Sequence, residues 1–352
     1  MPTPQLPDAL AQQAADALAE HGNYRDAARA LGLSDAAFGK RVGIARSRGL
    51  AGGSHLYKPK EFEAPELPDE VADTSDIIAR RKKEYARVAV ARGARRLINI
   101  KVKIDGPFGV AHFGDPHVDD PGTDISQLER DLKTVRETEG LFGANLGDNH
   151  NNWTGRLARL YAQQSTSAAE AWRLVEWMLG ACDWLYLVAG NHDLWSGDSD
   201  PVKWMAARGG NIYEPWGARI SLNTPSGRSF RVNARHDFSG HSMWNPNHGP
   251  GKAIQAGWRD HLATCGHKHV SFISGPFVDP ATLLRSWALR CAGYKVIDKY
   301  ASGELGLPEQ NAFPAAVSIF DPRYADDDVR AVHIVPTVEE GADYLKFKRR
   351  KK

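Results

Sequence analysis

The sequence predicts an α/β domain over residues 104–335, preceded by a small all-helical domain at residues 1–50. Three observations carry this reading. Short apolar runs of strand length recur through the middle of the chain, and helix-like stretches separate the first three of them. All ten tryptophans lie between Trp153 and Trp287, and ten of the thirteen histidines lie between His112 and His269. The first fifty residues contain no tryptophan and show apolar residues at helical spacing.

At 352 residues the chain suits two domains at about 150 residues each. Its 42% hydrophobic and 25% charged content excludes a disordered chain, a collagen or a coiled-coil rod. A net charge of +2 says little about partners, so local charge must be read instead. Cys182, Cys265 and Cys291 are too few and too far apart for a disulfide framework or a CxxC metal knuckle. They read as small buried hydrophobes in a reducing compartment. The N-terminus MPTPQLPDALAQQ has no basic region followed by an apolar core, and no run approaches the ~18 residues of a membrane span. A cytoplasmic protein that engages no membrane is the expectation.

Taken in order, Asp8 to Glu20 reads as a helix, NYRDAARALGL as a second, and SDAAFGKRVGIARSRGL as a third capped by Ser34. With Ala28, Gly32, Leu33 and Phe38 in this order, the segment resembles a helix-turn-helix. That resemblance implies that Lys40, Arg41, Arg46 and Arg48 contact DNA. The competing reading is a helical hairpin used for oligomerisation or docking, and Gly39 and Gly43 inside the third helix count against the first. Residues 51–75 read as an acidic, proline-containing linker. Residues 76–103 reverse the sign, with ten basic side chains against Asp76 and Glu84, a net of +8. This basic helical connector is either a solvated helix or a phosphate-backbone contact. Residues 336–352, ending in FKRRKK, read as a basic tail.

In the middle of the chain the strand candidates are FGVAHF (108–113), LFGANL (141–146), WLYLVA (184–189), SFRVNA (229–234) and HLATC (261–265). AAVSIFD (315–321) and VRAVHIV (329–335) follow as hairpin material for a second sheet. A polar cluster follows each of the first five: Gly114-Asp115-Pro116-His117, Gly147-Asp148-Asn149-His150, Gly190-Asn191-His192-Asp193, Arg235-His236-Asp237 and Gly266-His267-Lys268-His269. Sites in α/β sheets form beyond the carboxyl ends of the strands, so five clusters there can converge on one pocket. Carboxylate, imidazole and amide donors suit Mn²⁺, Fe or Zn²⁺, and the lack of thiolates argues against a structural zinc. Asp115, His117, Asp148, Asn191, His236, His267 and His269 supply the roughly seven donors that a two-metal phosphoryl-transfer site needs.

These blocks together, D-x-H, G-D, G-N-H-D, a lone H and G-H-x-H, resemble the calcineurin-like metallophosphoesterase superfamily. The resemblance covers roughly residues 104–335 and implies a four-layer αββα sandwich with two divalent ions. It implies that Asp115, His117 and His269 bind the first ion, and that Asn191, His236 and His267 bind the second. Asp148 then bridges them, and a bridging hydroxide attacks phosphorus. His192 protonates the leaving oxygen, and Asp193 orients its imidazole. The final Asp of GNHD, with Leu194 after it, resembles the phosphodiesterase and nuclease branches. The combination with N-terminal helices resembles phage- or prophage-encoded members. His241 competes with His236 for the lone-histidine block, and otherwise faces substrate. Asn149, His150, Arg156 and Arg159 are candidate substrate contacts. His112, inside its strand, reads as a core histidine. The function this supports is phosphodiester hydrolysis in DNA, held near the site by the N-terminal helices and the basic stretch. The alternatives are a nucleotide or small-molecule phosphoesterase whose N-terminal helices serve assembly, and a DNA-binding protein with a vestigial metal domain. A dimer would suit paired DNA half-sites, but nothing in the chain demands one.

Overall fold

The computed structural model describes residues 6–50, 70–197, 200–298, 302, 306 and 312–350. It divides into two compact units, Met1–Arg80 and Arg81–Lys352.

In the first unit, α1 (Asp8–His21), α2 (Tyr24–Ala30) and α3 (Asp35–Ser47) enclose a core of Ala14, Ala17, Leu18, Ala27, Ala28, Phe38 and Val42. Small side chains let the three helices approach closely, and Phe38 meets Tyr24 edge-on at 5.6 Å. Asn23 and Ser34 cap α2 and α3 by accepting from the amides of Asp26 and Ala37. Gly22, at φ 70°, ends α1 in the left-handed conformation that an L side chain resists. Lys40 and Arg46 are exposed and Arg41 is half-buried. Arg48 departs from expectation. Its guanidinium bonds the Asp8 carboxylate (2.5 Å) and the Leu6 carbonyl (2.7 Å), so it ties α3 to the start of α1 and is spent inside the unit. The linker read at 51–75 lies outside the described residues as far as residue 69. Its end already belongs to α4 (Thr74–Arg95), which buries no residue. The unit boundary falls within α4.

The second unit runs, in chain order, through β1 (Ile98–Lys101), β2 (Phe108–Phe113), α5 (Ile125–Glu137), β3 (Leu141–Asn145), a 3₁₀ segment (Gly155–Gln163), α6 (Ala168–Gly180) and β4 (Trp184–Ala189). There follow α7 (Asn191–Leu194), α8 (Pro201–Arg208), β5 (Tyr213–Pro215), β6 (Gly217–Asn223), β7 (Ser229–Arg235), α9 (His248–Ala256) and β8 (Leu262–Cys265). The chain closes with β9 (Phe272–Val278), β10 (Arg285–Arg290), β11 (Ala315–Phe320), β12 (Val332–Val335) and α10 (Val338–Arg350).

These strands form two six-stranded mixed sheets, ordered β12-β11-β2-β3-β4-β5 and β1-β6-β7-β8-β10-β9. Alternation along β2 explains how they stack. Phe108 and Val110 face the second sheet and join Phe230, Val232, Ile220 and Leu289 in one core. Ala111 and Phe113 face the other way, onto Leu128 and Leu132 of α5, Met178 of α6 and Leu345 of α10. On the far side of the second sheet, Ile254 of α9 packs with Phe238, Cys265 and Ala288. The unit is therefore layered α/β/β/α. Phe108, Phe230 and Phe320 fill the centre, with ring centroids 5.2 to 6.1 Å apart. His112 is buried there as read, between Ser318 Oγ (3.0 Å) and the Tyr186 hydroxyl (3.3 Å), and burial pushes its pKa down to about 3. Cys265 and Cys291 are buried free thiols, and Cys182 is half-buried.

Three expectations need correction. The basic connector is helical only to Arg95; Ile98–Lys101 pairs in parallel with β6, so the second sheet begins before residue 104. The β11–β12 hairpin extends the first sheet, because β11 lies antiparallel to β2. The C-terminal segment is no tail. As α10 it buries Val338, Ala342 and Leu345, and Lys348 reaches Asp321 at 2.8 Å. No described helix is long and apolar enough to cross a membrane.

Candidate metal centre

Strands β2, β3 and β4 run parallel, as do β7 and β8. Their carboxyl ends therefore deliver all five polar clusters to one edge of the sandwich. The turns there are tight. Asp115, His117, Asp148, His267 and His269 adopt φ between 29° and 68°. Only three other described non-glycine residues have positive φ, so backbone strain concentrates at these donors. Glycine is required where the loops touch: a Cβ on Gly190 would lie 2.1 Å from Asp148 Oδ1.

Asp148 is the centre of the arrangement. Its Oδ2 lies 3.1 Å from His236 Nε2, 3.9 Å from His192 Nε2 and 4.0 Å from His117 Nε2. Donor atoms of His117, Asp148 and His192 form one group close enough to hold an ion, and those of Asp148, His236 and His267 form another. Asp148 belongs to both. His236 Nε2 also meets Asn191 Oδ1 (3.0 Å) and His267 Nδ1 (2.9 Å). Because the Leu146 carbonyl can only accept, His236 Nδ1 must carry the proton there (2.8 Å), which leaves Nε2 as the donor atom. Asp115 sits between the groups, 3.7 Å from His236 and 3.6 Å from His269.

The donor set fits a cation on two grounds. Both Asp115 carboxylate oxygens and His117 Nδ1 are buried without a hydrogen-bond partner, an arrangement that costs free energy unless a ligand satisfies it. Burial also lowers the pKa of His117, His192 and His267, and takes His269 down to about 4. These imidazoles are therefore neutral, the form that ligates a metal. Burial raises Asp115 to about 8. For Asp148 burial acts in the same direction, but His236, His192 and His117 hold it well below the usual carboxylate range. Burial alone would lower His236; the Asp148 and Asp115 carboxylates instead raise it to about 10.

The remaining candidates separate clearly. Asp193 does not touch the His192 ring. Its buried carboxylate accepts from the amides of Asp148 (2.8 Å), Asn149 (3.0 Å) and Gly190 (2.9 Å), and so holds two loops together. The His192 ring is oriented by the Asn151 carbonyl, which accepts from Nδ1, and by Trp195 and Trp153 packed against it at 4.1 and 5.2 Å. Asn151 was missed because a backbone carbonyl leaves no residue-type signature. The Asn149 side chain is buried and hydrogen-bonded between Asn145 and Asp193. His150 is buried as well. His241 and Arg156 are exposed, and it is His236 that reaches Asp148. Lys295, also unforeseen, is 7% exposed between Asp120 (3.1 Å) and Asp298 (3.2 Å), and Asp298 in turn lies 3.9 Å from His269.

No family model matches the chain, and no curated protein matches it. Among solved structures it is similar to Vps29 from Chaetomium thermophilum, at 12% identity over 64% of this chain and 95% of that one, with a TM-score of 0.33. It is similar to GAP50, the anchor in the inner membrane complex of Plasmodium, at 10% identity over 69% and 95%, with a TM-score of 0.37. Vps29 from Entamoeba histolytica, solved in complex with zinc, gives 11% identity over 64% and 97%, with a TM-score of 0.31.

Proposed function

We propose that this chain is a metal-dependent phosphoesterase with two ion sites, and that its substrate is a phosphodiester bond in DNA. The observation that carries the reading is Asp148, one buried carboxylate shared by two groups of donors, beside Asp115 with both oxygens unpartnered. Asp115, His117 and His269 would hold one ion with Asp148; Asn191, His236 and His267 would hold the other. Mn²⁺ suits this nitrogen and oxygen set best, with Fe and Zn²⁺ as the other candidates. Such ions supply Lewis-acid stabilisation of charge on a phosphoryl group and a water acidic enough to attack at neutral pH.

The protein's own groups do the rest. His192 points Nε2 toward Asp148 while the Asn151 carbonyl holds the proton on Nδ1, so Nε2 is the free ring nitrogen that would take up a proton from the attacking water and then pass it to the leaving oxygen. Asp193 holds the loops that carry Asp148 and Asn191 at a fixed spacing. Exposed Lys40 and Arg46 on α3, with the basic residues of α4, support the DNA reading.

The test is hydrolysis of end-labelled linear DNA with Mn²⁺, with His192→Ala as the contamination control. Cleavage that falls by about 10²–10⁴-fold in the variant, while bound metal is retained, supports the reading. Intact DNA from protein that hydrolyses a nucleotide or a small phosphate ester moves the substrate to that class. Equal cleavage by the variant removes His192 from its role.

A further inference from the structure

Arg290 is the last residue of β10 and is fully buried at the same edge of the sandwich. A buried guanidinium is tolerated only when its donors are matched. Here the three nitrogens go to three different partners: Nη1 to the Gly266 carbonyl (2.6 Å), Nη2 to Asp237 Oδ1 (2.9 Å) and Nε to the Pro246 carbonyl (3.0 Å). Two of these sit beside metal-donor candidates. Gly266 immediately precedes His267, and Asp237 immediately follows His236. The same loops are stitched once more by the Gly266 amide, which donates to the His236 carbonyl at 3.1 Å. Lys268 adds to the cluster, with Nζ 3.7 Å from Asp237 Oδ2.

We infer that Arg290 is the positioning residue of one half of the centre, holding His236 and His267 at ligand spacing through the backbone and Asp237. The inference rests on the metal-centre reading above. It concerns mainly the His236/His267 half, because Asp115 and His117 of the other half follow β2, and of that half only His269 shares the Gly266 turn. Arg290 touches neither imidazole. Its effect is to keep two ring nitrogens 2.9 Å apart, close enough to share one proton or, with that proton displaced, one cation. A lysine presents its three donors from a single nitrogen and cannot span the three positions that the guanidinium nitrogens reach.

The test is Mn²⁺ titration of the full-length protein by calorimetry after chelator treatment, with bound metal counted independently. Wild-type protein is expected to take two ions. Arg290→Met is expected to keep one of wild-type affinity and to bind the second about 10–100-fold more weakly, with Arg290→Lys between them. In a His267→Ala background, Arg290→Met should leave the remaining ion unaffected. Phe230→Leu, a core change far from these loops, should lower stability and leave both affinities unchanged. If Arg290→Met does not fold, Asp237→Asn decides, since that side chain is partly exposed and keeps its shape; a several-fold weakening of one ion is expected. Two undisturbed affinities in Arg290→Met, or in Asp237→Asn where that variant decides, would overturn the inference. So would an equal loss in Phe230→Leu. Wild-type protein that takes no ion overturns the metal centre itself.

Discussion

The two ends of β8, a strand of four residues, treat buried charge in opposite ways. At its start, Asp260 is 1% exposed and fully matched, with Arg219 on both oxygens (2.7 and 2.8 Å) and Arg231 at 3.0 Å. His261 beside it bonds Asp326 at 3.1 Å. At its end, a Cβ on Gly266 would lie 2.8 Å from Asp115 Oδ1, and that carboxylate has no hydrogen-bond partner, with only His236 (3.7 Å) and His269 (3.6 Å) near it. Residue type and burial are the same at both ends. What differs is satisfaction, and the unsatisfied end is also the strained one. A buried acid closed by arginines is part of the scaffold. A buried acid left without hydrogen bonds among imidazoles is poised for a cation.

The comparison breaks most visibly at Asp148. Asp148→Asn should remove one or both ions and lower turnover by more than about 10³-fold, the scale expected when a member of the reacting assembly is lost; metal analysis with kinetics would check this. At the other end, Asp260→Ala strands Arg219 and Arg231, and should lower folding stability by about 3–5 kcal/mol in denaturant titration while the metal content stays at the wild-type value. Asp115→Asn should do the reverse. In chelator its stability should stay within about 1 kcal/mol of wild type, since a buried carboxyl without a hydrogen-bond partner gives way to an uncharged amide of the same shape, while the stabilisation gained from added Mn²⁺ shrinks. The smallest effect is a pH dependence. Asp326 is held down to about 2, first by its hydrogen bond to His261 and then by Arg228. A depressed carboxylate adds stability above its unfolded pKa and loses it as pH falls through the folded value. The stability gap between wild type and Asp326→Asn should therefore be full at pH 5 and close between about pH 4 and 2 in acid-unfolding curves.

The apolar runs that became β2, β3, β4, β7 and β8 were legible because each is bounded by a polar, mostly glycine-led turn, and their observed limits differ by a residue at most. The donors were legible for the same reason: they follow those strands. The sequence hid β1 because INIK sits inside a strongly basic stretch, where charge outweighs the short alternation. It hid α10 because its buried Val338, Ala342 and Leu345 are separated by Glu339, Glu340 and Asp343 and run straight into the basic FKRRKK. It also hid what organises the donors. Asn151 acts through a carbonyl, Asp193 through backbone amides, and Arg290 and Lys295 come from strands and loops with no motif of their own. Residue spacing reports which side chains reach a site; it does not report which buried group holds them there.

The helix α4 carries a consequence of a different kind. It spans the boundary between the two units, buries nothing, and contains a run of arginines and lysines from Arg80 to Arg95. A helix that buries no residue depends mainly on its own turns, and such turns open locally far more often than the core does. Trypsin should therefore find its first cuts here under native conditions, and the chain would be severed between its helical and sandwich parts before either one unfolds.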